Sequence, residues 1–217
     1  PARPGPMSNE PLMSAMKTGV TYFVRRRELV RYPARIAVSF LCTSAAVALL
    51  PALARQQLGT TAGQFGILSA AFGVGAVVAV WLLPRLKARL GSDALVIGAA
   101  VVWAVGATSM ALSKNLALAV FGVLCTGIGQ MAAINVVYSI FMLLLPTWIR
   151  GRASSVVMLS VWLGASNGAV TWGAVADTAG LKTALLVAAS LHLATTVAVA
   201  MGLKLHAALA LGGAPRA

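Results

Sequence analysis

The chain has 217 residues, of which 59% are hydrophobic and only 10% are charged, with a mean hydropathy of +0.89. A soluble domain carries about a quarter charged residues, so this composition excludes an ordinary soluble protein and indicates an integral membrane protein. The formal net charge of +13 would suggest nucleic-acid binding if it lay on a soluble surface. Here the basic residues separate apolar runs, so membrane topology explains them and we expect no nucleic-acid partner.

The chain opens with a Pro-rich polar stretch at residues 1–12, whose composition predicts disorder. In residues 13–32, apolar side chains at helical spacing alternate with five basic ones. This pattern is typical of a helix on a membrane surface, with anionic lipid headgroups as its partner. A solvated connector helix that touches neighbouring loops fits the pattern equally well. We therefore predict that residues 1–32 form a disordered tail and a basic cytoplasmic connector helix.

Six apolar segments follow, and each is close to the roughly 20 residues that a helix needs to cross a bilayer. The predicted spans are 33–54, 63–83, 94–112, 116–145, 153–176 and 183–203. We place the start of the first span at Pro33, because proline is favoured in the first turn of a helix. The predicted fold is an all-α membrane bundle of six transmembrane helices over residues 33–205, followed by a cytoplasmic tail at 206–217.

Basic residues fall almost entirely on one side of this topology. Fourteen lie on the side that carries both ends of the bundle: Arg3, Lys17, Arg25, Arg26, Arg27, Arg31, Arg35, Arg85, Lys87, Arg89, Arg150, Arg152, Lys204 and Arg216. Three lie on the other side: Arg55, Lys114 and Lys182. Positively charged loops stay in the cytoplasm, so we predict that both ends of this segment are cytoplasmic.

Acidic residues and cysteines limit the chemistry that the spans can perform. The four acids all lie in tails, loops or span ends: Glu10, Glu28, Asp93 and Asp177. The sequence therefore offers no mid-membrane carboxylate that could bind a proton or a sodium ion. Cys42 and Cys125 have no partners at metal-ligand spacing, so we interpret them as small packing residues and expect no metal or cofactor.

Polar side chains inside the spans are the candidates for contact with a small-molecule substrate. Asn135 and Tyr138 lie three residues apart in the fourth span and share a helix face, and Ser166 and Asn167 lie in the fifth. An amide in hydrocarbon needs a partner, so Asn135 and Asn167 either line a water-filled cavity or bond to a neighbouring helix. His192, among leucines in the sixth span, is interpreted as a packing residue.

Glycines cluster in three of the spans. They are Gly63, Gly66, Gly73 and Gly75 in the second, Gly122, Gly127 and Gly129 in the fourth, and Gly164, Gly168 and Gly173 in the fifth. Small residues let helix backbones approach closely in lipid, so we predict that these glycines pack helices together. Bending of a rocking transporter helix is the alternative.

Ser166 and His192 also permit a comparison with the rhomboid intramembrane proteases, in which a serine pairs with a histidine for acyl transfer. Here the two residues lie on consecutive spans. The sequence also lacks a second histidine with an asparagine four residues on, which those proteases use for the oxyanion. We therefore expect no enzymatic activity.

Four segments resemble motifs of the major facilitator transporters. Residues 84–91, PRLKARLG, resemble the basic loop between adjacent helices of each half, without its usual acidic residue. Residues 146–153, PTWIRGRA, resemble the loop before the eleventh helix in the enterobactin-exporter-like permeases, and residues 172–181, WGAVADTAGL, resemble the end of that helix. Residues 20–35, VTYFVRRRELVRYPAR, resemble the central cytoplasmic connector of the same proteins.

This resemblance implies the C-terminal six-helix half of a twelve-helix secondary transporter, with an N-terminal half as its missing partner. It implies alternating access at a site between the halves and efflux of a small organic compound across the cell inner membrane. The first, second, fourth and fifth spans would face the pathway, where we expect substrate contacts from Asn135, Tyr138, Ser166 and Asn167. The expected gating-loop residues are Arg85, Lys87, Arg89, Arg150 and Arg152. A truncated six-span protein without transport activity, acting as a membrane-embedded partner or an inert remnant, is the alternative.

Overall fold

A computed structural model of the chain describes residues 27–212, with side chains over 30–147 and 149–201. The predicted tail at 1–12 and most of the predicted connector helix therefore lie outside the described residues. The described part is helical and contains no β-strand, and six of its helices are long and apolar enough to cross a membrane. The predicted all-α membrane fold with six spans is confirmed.

The six long helices are α1 Arg27–Ala48, α2 Ala62–Lys87, α3 Ser92–Leu112, α4 Leu116–Leu143, α5 Arg150–Ala179 and α6 Leu181–Gly212. A short helix, Leu50–Ala52, and a π-helical turn, Leu53–Gln57, continue α1, and a 3-10 turn, Thr147–Ile149, precedes α5. Short connections join each of these helices to the next.

Polar caps and one glycine define several helix ends. Thr61 and Gln64 form a capping box that satisfies free backbone N–H groups at the start of α2. The side chain of Asn115 accepts a hydrogen bond from the backbone N–H of Leu118, 2.9 Å away, at the start of α4. Gly180 follows α5 with φ +86°, a conformation that residues with a Cβ rarely adopt.

Two helix ends differ from the predictions. The first span was predicted to begin at Pro33, but α1 already contains residues 27–32, and Pro33 lies inside the helix. The proline removes only one backbone hydrogen bond in the first two turns that the structure describes. The helix continues beyond the proline, and Ile36, about one turn later, is buried. Residues 206–212 were predicted as tail, but α6 continues through Gly212, because the alanines and leucines there favour helix.

The helices pack in an order that repeats between the two halves of the chain. Helix α4 packs against both α2 and α3, α1 packs against α5 and α6, and α3 packs against α6. If each of the first three helices is matched with the helix three places later, α1 corresponds to α4 and α2 corresponds to α5. The α1–α5 contact then corresponds to the α4–α2 contact, so the bundle has the form of a three-plus-three repeat. Odd-numbered helices run in one direction and even-numbered helices in the other.

This alternation gives the bundle two differently charged ends. Helix α1 begins, and α2 and α4 end, at what we term the cation-rich end, which carries Arg31, Arg35, Arg85, Lys87, Arg89, Arg150 and Arg152. The opposite end carries Arg55, Lys114 and Lys182. Among the described residues the charge asymmetry is therefore the one that the sequence predicts.

Close glycine packing joins the helices in pairs. A Cβ on Gly164 or Gly168 of α5 would overlap the backbone of α1, at the carbonyl oxygens of Ala37 and Leu41 respectively. A Cβ on Gly106 of α3 would lie 2.6 Å from the carbonyl oxygen of Gly122 on α4. These contacts confirm the packing role for part of the predicted set; the others with the same role are Gly75, Gly127 and Gly129.

Four glycines of the predicted set make no close helix contact in the part of the chain that the structure describes. A Cβ on Gly63, Gly66 or Gly73 of α2, or on Gly173 of α5, would meet no atom within 4 Å there. These positions lie away from the α2–α4 and α1–α5 contacts, so their packing role stays a prediction.

The buried core leaves α2 and α5 at the edges of the bundle. One core cluster surrounds Trp103 and Met110, and a second surrounds Phe141 and Ile149. In the most apolar stretch of α2 only 22% of residues are buried, and in α5 28%, against 56% in α3. The two edge helices therefore present the largest uncovered apolar surfaces.

Candidate functional site

The α4 candidates form a polar face in the part of that helix nearest the cation-rich end. Asn135 and Tyr138 are both half-buried, and Tyr138 packs against the core cluster around Phe141. The Nδ2 group of Asn135 donates to the carbonyl oxygen of Met131, 2.8 Å away. The amide thus bonds within its own helix. It makes no bond to a neighbouring helix, and a bond of that kind was one of the two predicted roles.

Ser139 extends this face and connects it to α2. Its hydroxyl donates to the carbonyl oxygen of Asn135 at 2.6 Å, as serine hydroxyls do within helices. The ammonium of Lys87, the last residue of α2, donates to Ser139 Oγ at 3.3 Å. A residue predicted only for a gating loop therefore contacts the candidate binding face.

The α5 candidates are more accessible. Ser166 and Asn167 are exposed, and Trp162, one turn before Ser166, is 68% exposed. The Nδ2 group of Asn167 donates to the carbonyl oxygen of Leu163 at 2.8 Å. The hydroxyl of Thr171 donates to the Asn167 carbonyl at the same distance. This amide also bonds along its own helix.

The structure brings the α4 candidates together with Lys87 but keeps the α5 candidates apart from them. Helices α4 and α5 touch only slightly, and α1 packs against both. A substrate that contacted all four predicted residues would have to lie across the face formed by α4, α1 and α5. The candidate site is thus open on the face formed by α4, α1 and α5, because no other helix of this bundle covers that face.

The predicted gating cations all lie at the cation-rich end, with different local partners. The Arg85 guanidinium lies over the ring of Trp81, 4.1 Å from its centroid, and its Nη1 donates to the Trp81 carbonyl at 3.3 Å. The Nε of Arg150 donates to the carbonyl oxygen of Leu145 at 3.1 Å, which holds the end of α4 to the start of α5. The exposed Arg89 follows α2, and Arg152 lies in the first turn of α5.

Four buried polar atoms have no hydrogen-bond partner among the described residues. They are Thr43 Oγ1, Trp103 Nε1, Gln130 Oε1 and His192 Nδ1. The His192 ring is only 2% exposed and packs edge-on against Trp103 at 5.2 Å. Since Ser166 is exposed on another helix, the serine–histidine pairing of an intramembrane protease is not formed.

No group of three or more metal-ligating side chains lies together in the part of the chain that the structure describes. Cys42 and Cys125 are both buried and unpaired, as packing residues are. A cavity of about 550 Å³ opens at the far end of α1, lined by Pro51, Ala52, Arg55 and Gln56. It lies at the opposite end from the α4 face and contains none of the predicted site residues.

Sequence reasoning missed Ser139 and Gln57. Ser139 follows Asn135 by four residues, so helical spacing alone would have added it to the polar face. Gln57 joins the π-helical end of α1 to the end of α3, where its Nε2 donates to the Ser113 carbonyl at 2.6 Å. That contact spans 56 residues, and no local pattern in the sequence indicates it.

The comparison with protein families decides the class of protein. The family described as transmembrane secretion effector, of major facilitator type, matches residues 1–216. The chain belongs to this family. Its six apolar helices correspond to one half of a major facilitator fold, and the family is one of membrane transporters that are in general not enzymes. A search among curated proteins found no match.

Proposed function

We propose that this transmembrane secretion effector acts as the C-terminal half of a secondary transporter that exports a small amphipathic organic compound. The observation that carries the proposal is that the amides of Asn135 and Asn167 donate to carbonyls of their own helices. Neither amide joins two helices, so each retains an acceptor oxygen and a second N–H for a substrate. Polar groups of this kind in a membrane bundle mark a translocation pathway.

In this proposal, an N-terminal half covers the open face of the bundle. Exposed apolar side chains on the two edge helices support this arrangement: Val77 and Trp81 on α2 are 69% and 65% exposed, and Val170 on α5 is 75% exposed. Rocking of one half against the other exposes the site to each side in turn. The cation-rich end lies in the cytoplasm of a cell whose inner membrane the protein spans.

The gating role belongs to the cation-rich end. Arg150 and Arg152, at the start of α5, latch the cytoplasmic side together with Arg85, Lys87 and Arg89. The Arg150 bond to Leu145 supports this role, because it joins the end of α4 to the start of α5 and moves if these helices separate. Replacement of Arg150 by alanine is expected to impair gating while membrane insertion continues.

Export from intact cells tests the proposal. Cells carrying the complete open reading frame that contains this sequence are loaded with a panel of amphipathic fluorescent dyes, and dye loss is followed over time. Replacing Asn135 or Asn167 by alanine is expected to slow efflux at least fivefold at equal protein level, since loss of one hydrogen bond costs about 1 kcal/mol. Ser109→Ala is the matched control, because that exposed hydroxyl bonds its own helix on α3.

Two results would count against the proposal. Efflux that is unchanged in both asparagine variants would remove these residues from the pathway. Dye loss no faster than in cells without the gene, for every dye in the panel, would favour the alternative of a six-span protein without transport activity.

A further inference from the structure

Lys87 and the polar face of α4 suggest what kind of substrate the site accepts. We infer that Lys87, held in place by Ser139, forms an anion-binding position with Tyr138 and Asn135 at the cytoplasmic mouth of the pathway, so that the exported compound carries a carboxylate, phosphate or sulfonate group. This inference rests on the proposed transport function and adds the charge of the substrate to it. The inference depends on the contact between Lys87 and Ser139, which positive charge in a cytoplasmic loop does not by itself require.

That contact is the bond between α2 and α4. Lys87 Nζ lies 3.3 Å from Ser139 Oγ, and the Ser139 proton is already given to the Asn135 carbonyl at 2.6 Å. The serine oxygen is therefore the acceptor and the ammonium is the donor. The bond joins two parallel helices and uses one of the three N–H donors of the ammonium.

Ser139 holds the ammonium but has no proton left to donate, and two other residues of the same part of α4 carry donors. Tyr138 carries a phenolic O–H, and Asn135 has a second N–H beside the one given to Met131. A cation with neutral donors on the neighbouring helix favours an anion, because each charge-assisted hydrogen bond to the anion is favourable. A cationic substrate would meet the ammonium at the same place and would be repelled.

The acids at the cation-rich end are outnumbered by the cations. Glu28 lies near the start of α1, and Asp93, in the first turn of α3, interacts electrostatically with Arg35 of α1; Asp177 lies at the far end of α5. The seven cations of this end exceed its two acids, so the mouth keeps a positive potential that draws anions in from the cytoplasm.

Two other cations at the same end, Arg85 and Arg150, have partners that are close in sequence. Arg85 stacks on Trp81 of its own helix, and Arg150 bonds the Leu145 carbonyl at the adjoining turn. Retention of a loop in the cytoplasm requires positive charge but no contact with a second helix. Lys87 differs because its partner is a half-buried hydroxyl on another helix, beside the candidate binding residues.

A pair of dyes with the same xanthene core and opposite charge tests the inference. The purified product of the complete open reading frame that contains this sequence is titrated in phosphatidylcholine nanodiscs against fluorescein, an anion, and rhodamine 123, a cation, and binding is followed by fluorescence anisotropy. We expect fluorescein to bind more tightly than rhodamine 123. Lys87→Gln is expected to weaken fluorescein binding about tenfold and to leave rhodamine 123 binding unchanged, while Lys87→Arg keeps most of the affinity.

Arg31→Gln is the matched control, because it removes the same unit of charge from an exposed position on α1 at the same end. We expect this variant to bind fluorescein as the unmodified chain does. Equal losses in K87Q and R31Q would show a general charge effect and overturn the inference, as would an unchanged K87Q. Saturable binding of rhodamine 123 but not fluorescein, or of neither dye, would also overturn it. Cellular efflux in the asparagine variants decides the transport function separately.

Discussion

The Gly164 contact between α5 and α1 gives a test of how the bundle is held together. In Gly164→Ala the new methyl group would overlap the Ala37 carbonyl oxygen and lie 3.0 Å from the Ala37 carbonyl carbon and from Phe40 Cβ. The obstacle is backbone, so the two helices must separate by about 1 Å, and overpacking of this kind costs about 1–3 kcal/mol. A gap of that size also weakens the dispersion attraction between each pair of separated atoms by roughly a quarter to a half.

Gly173→Ala on the same helix is the matched control, since a Cβ there meets no atom within 4 Å. Both substitutions gain about 1 kcal/mol of helix propensity, so their difference isolates the packing cost. Titration of the purified protein with sodium dodecyl sulfate in mixed micelles, followed by circular dichroism, gives both unfolding free energies. We expect G164A to be less stable than G173A by about 1–3 kcal/mol. Equal stability of the two variants would refute the close α1–α5 contact.

Two further substitutions test hydrogen bonds between helices with the same measurement. Gln57→Ala is expected to lower the unfolding free energy by about 1 kcal/mol, because it removes the 2.6 Å bond to the Ser113 carbonyl. An unchanged unfolding free energy would mean that this bond does not hold the ends of α1 and α3 together. Trp172→Phe is expected to cost about 1–2 kcal/mol, since the indole N–H donates to the Leu41 carbonyl at 2.7 Å. The exposed Trp162→Phe serves as its control, and an equal cost in both would contradict the role of that bond.

Hydropathy and charge predict the number of helices and the sides on which their loops lie, because both depend on the local sequence. The exact ends are less predictable. Pro33 marks a first turn by statistics alone, yet α1 starts earlier, and nothing in residues 206–212 stops α6. Local signals thus determine that a helix forms, whereas its length depends on which neighbours it finds.

The direction in which each helix faces could not be predicted from the sequence. Helix α2 is apolar all round, so its pattern does not distinguish the face of Gly75, which packs on α4, from that of Gly66 and Gly73, which is open. The same limit applies to the site. Asn135 and Tyr138 are recognisable as one face, but the approach of Lys87 across 52 residues depends on how α2 and α4 pack.

The central claim is that Asn167 lines a water-filled pathway rather than facing lipid, and cysteine accessibility tests it most directly. Asn167→Cys is placed in a background with Cys42 and Cys125 replaced by alanine and treated in intact cells and in inverted vesicles with a membrane-impermeant sulfonated thiol reagent. Val101→Cys on α3, also exposed in the bundle, is the comparison. Because thiols react as thiolates, which need water, we predict fast labelling at position 167 and slow labelling at position 101. Equally slow labelling at both positions would place Asn167 in lipid and contradict the account.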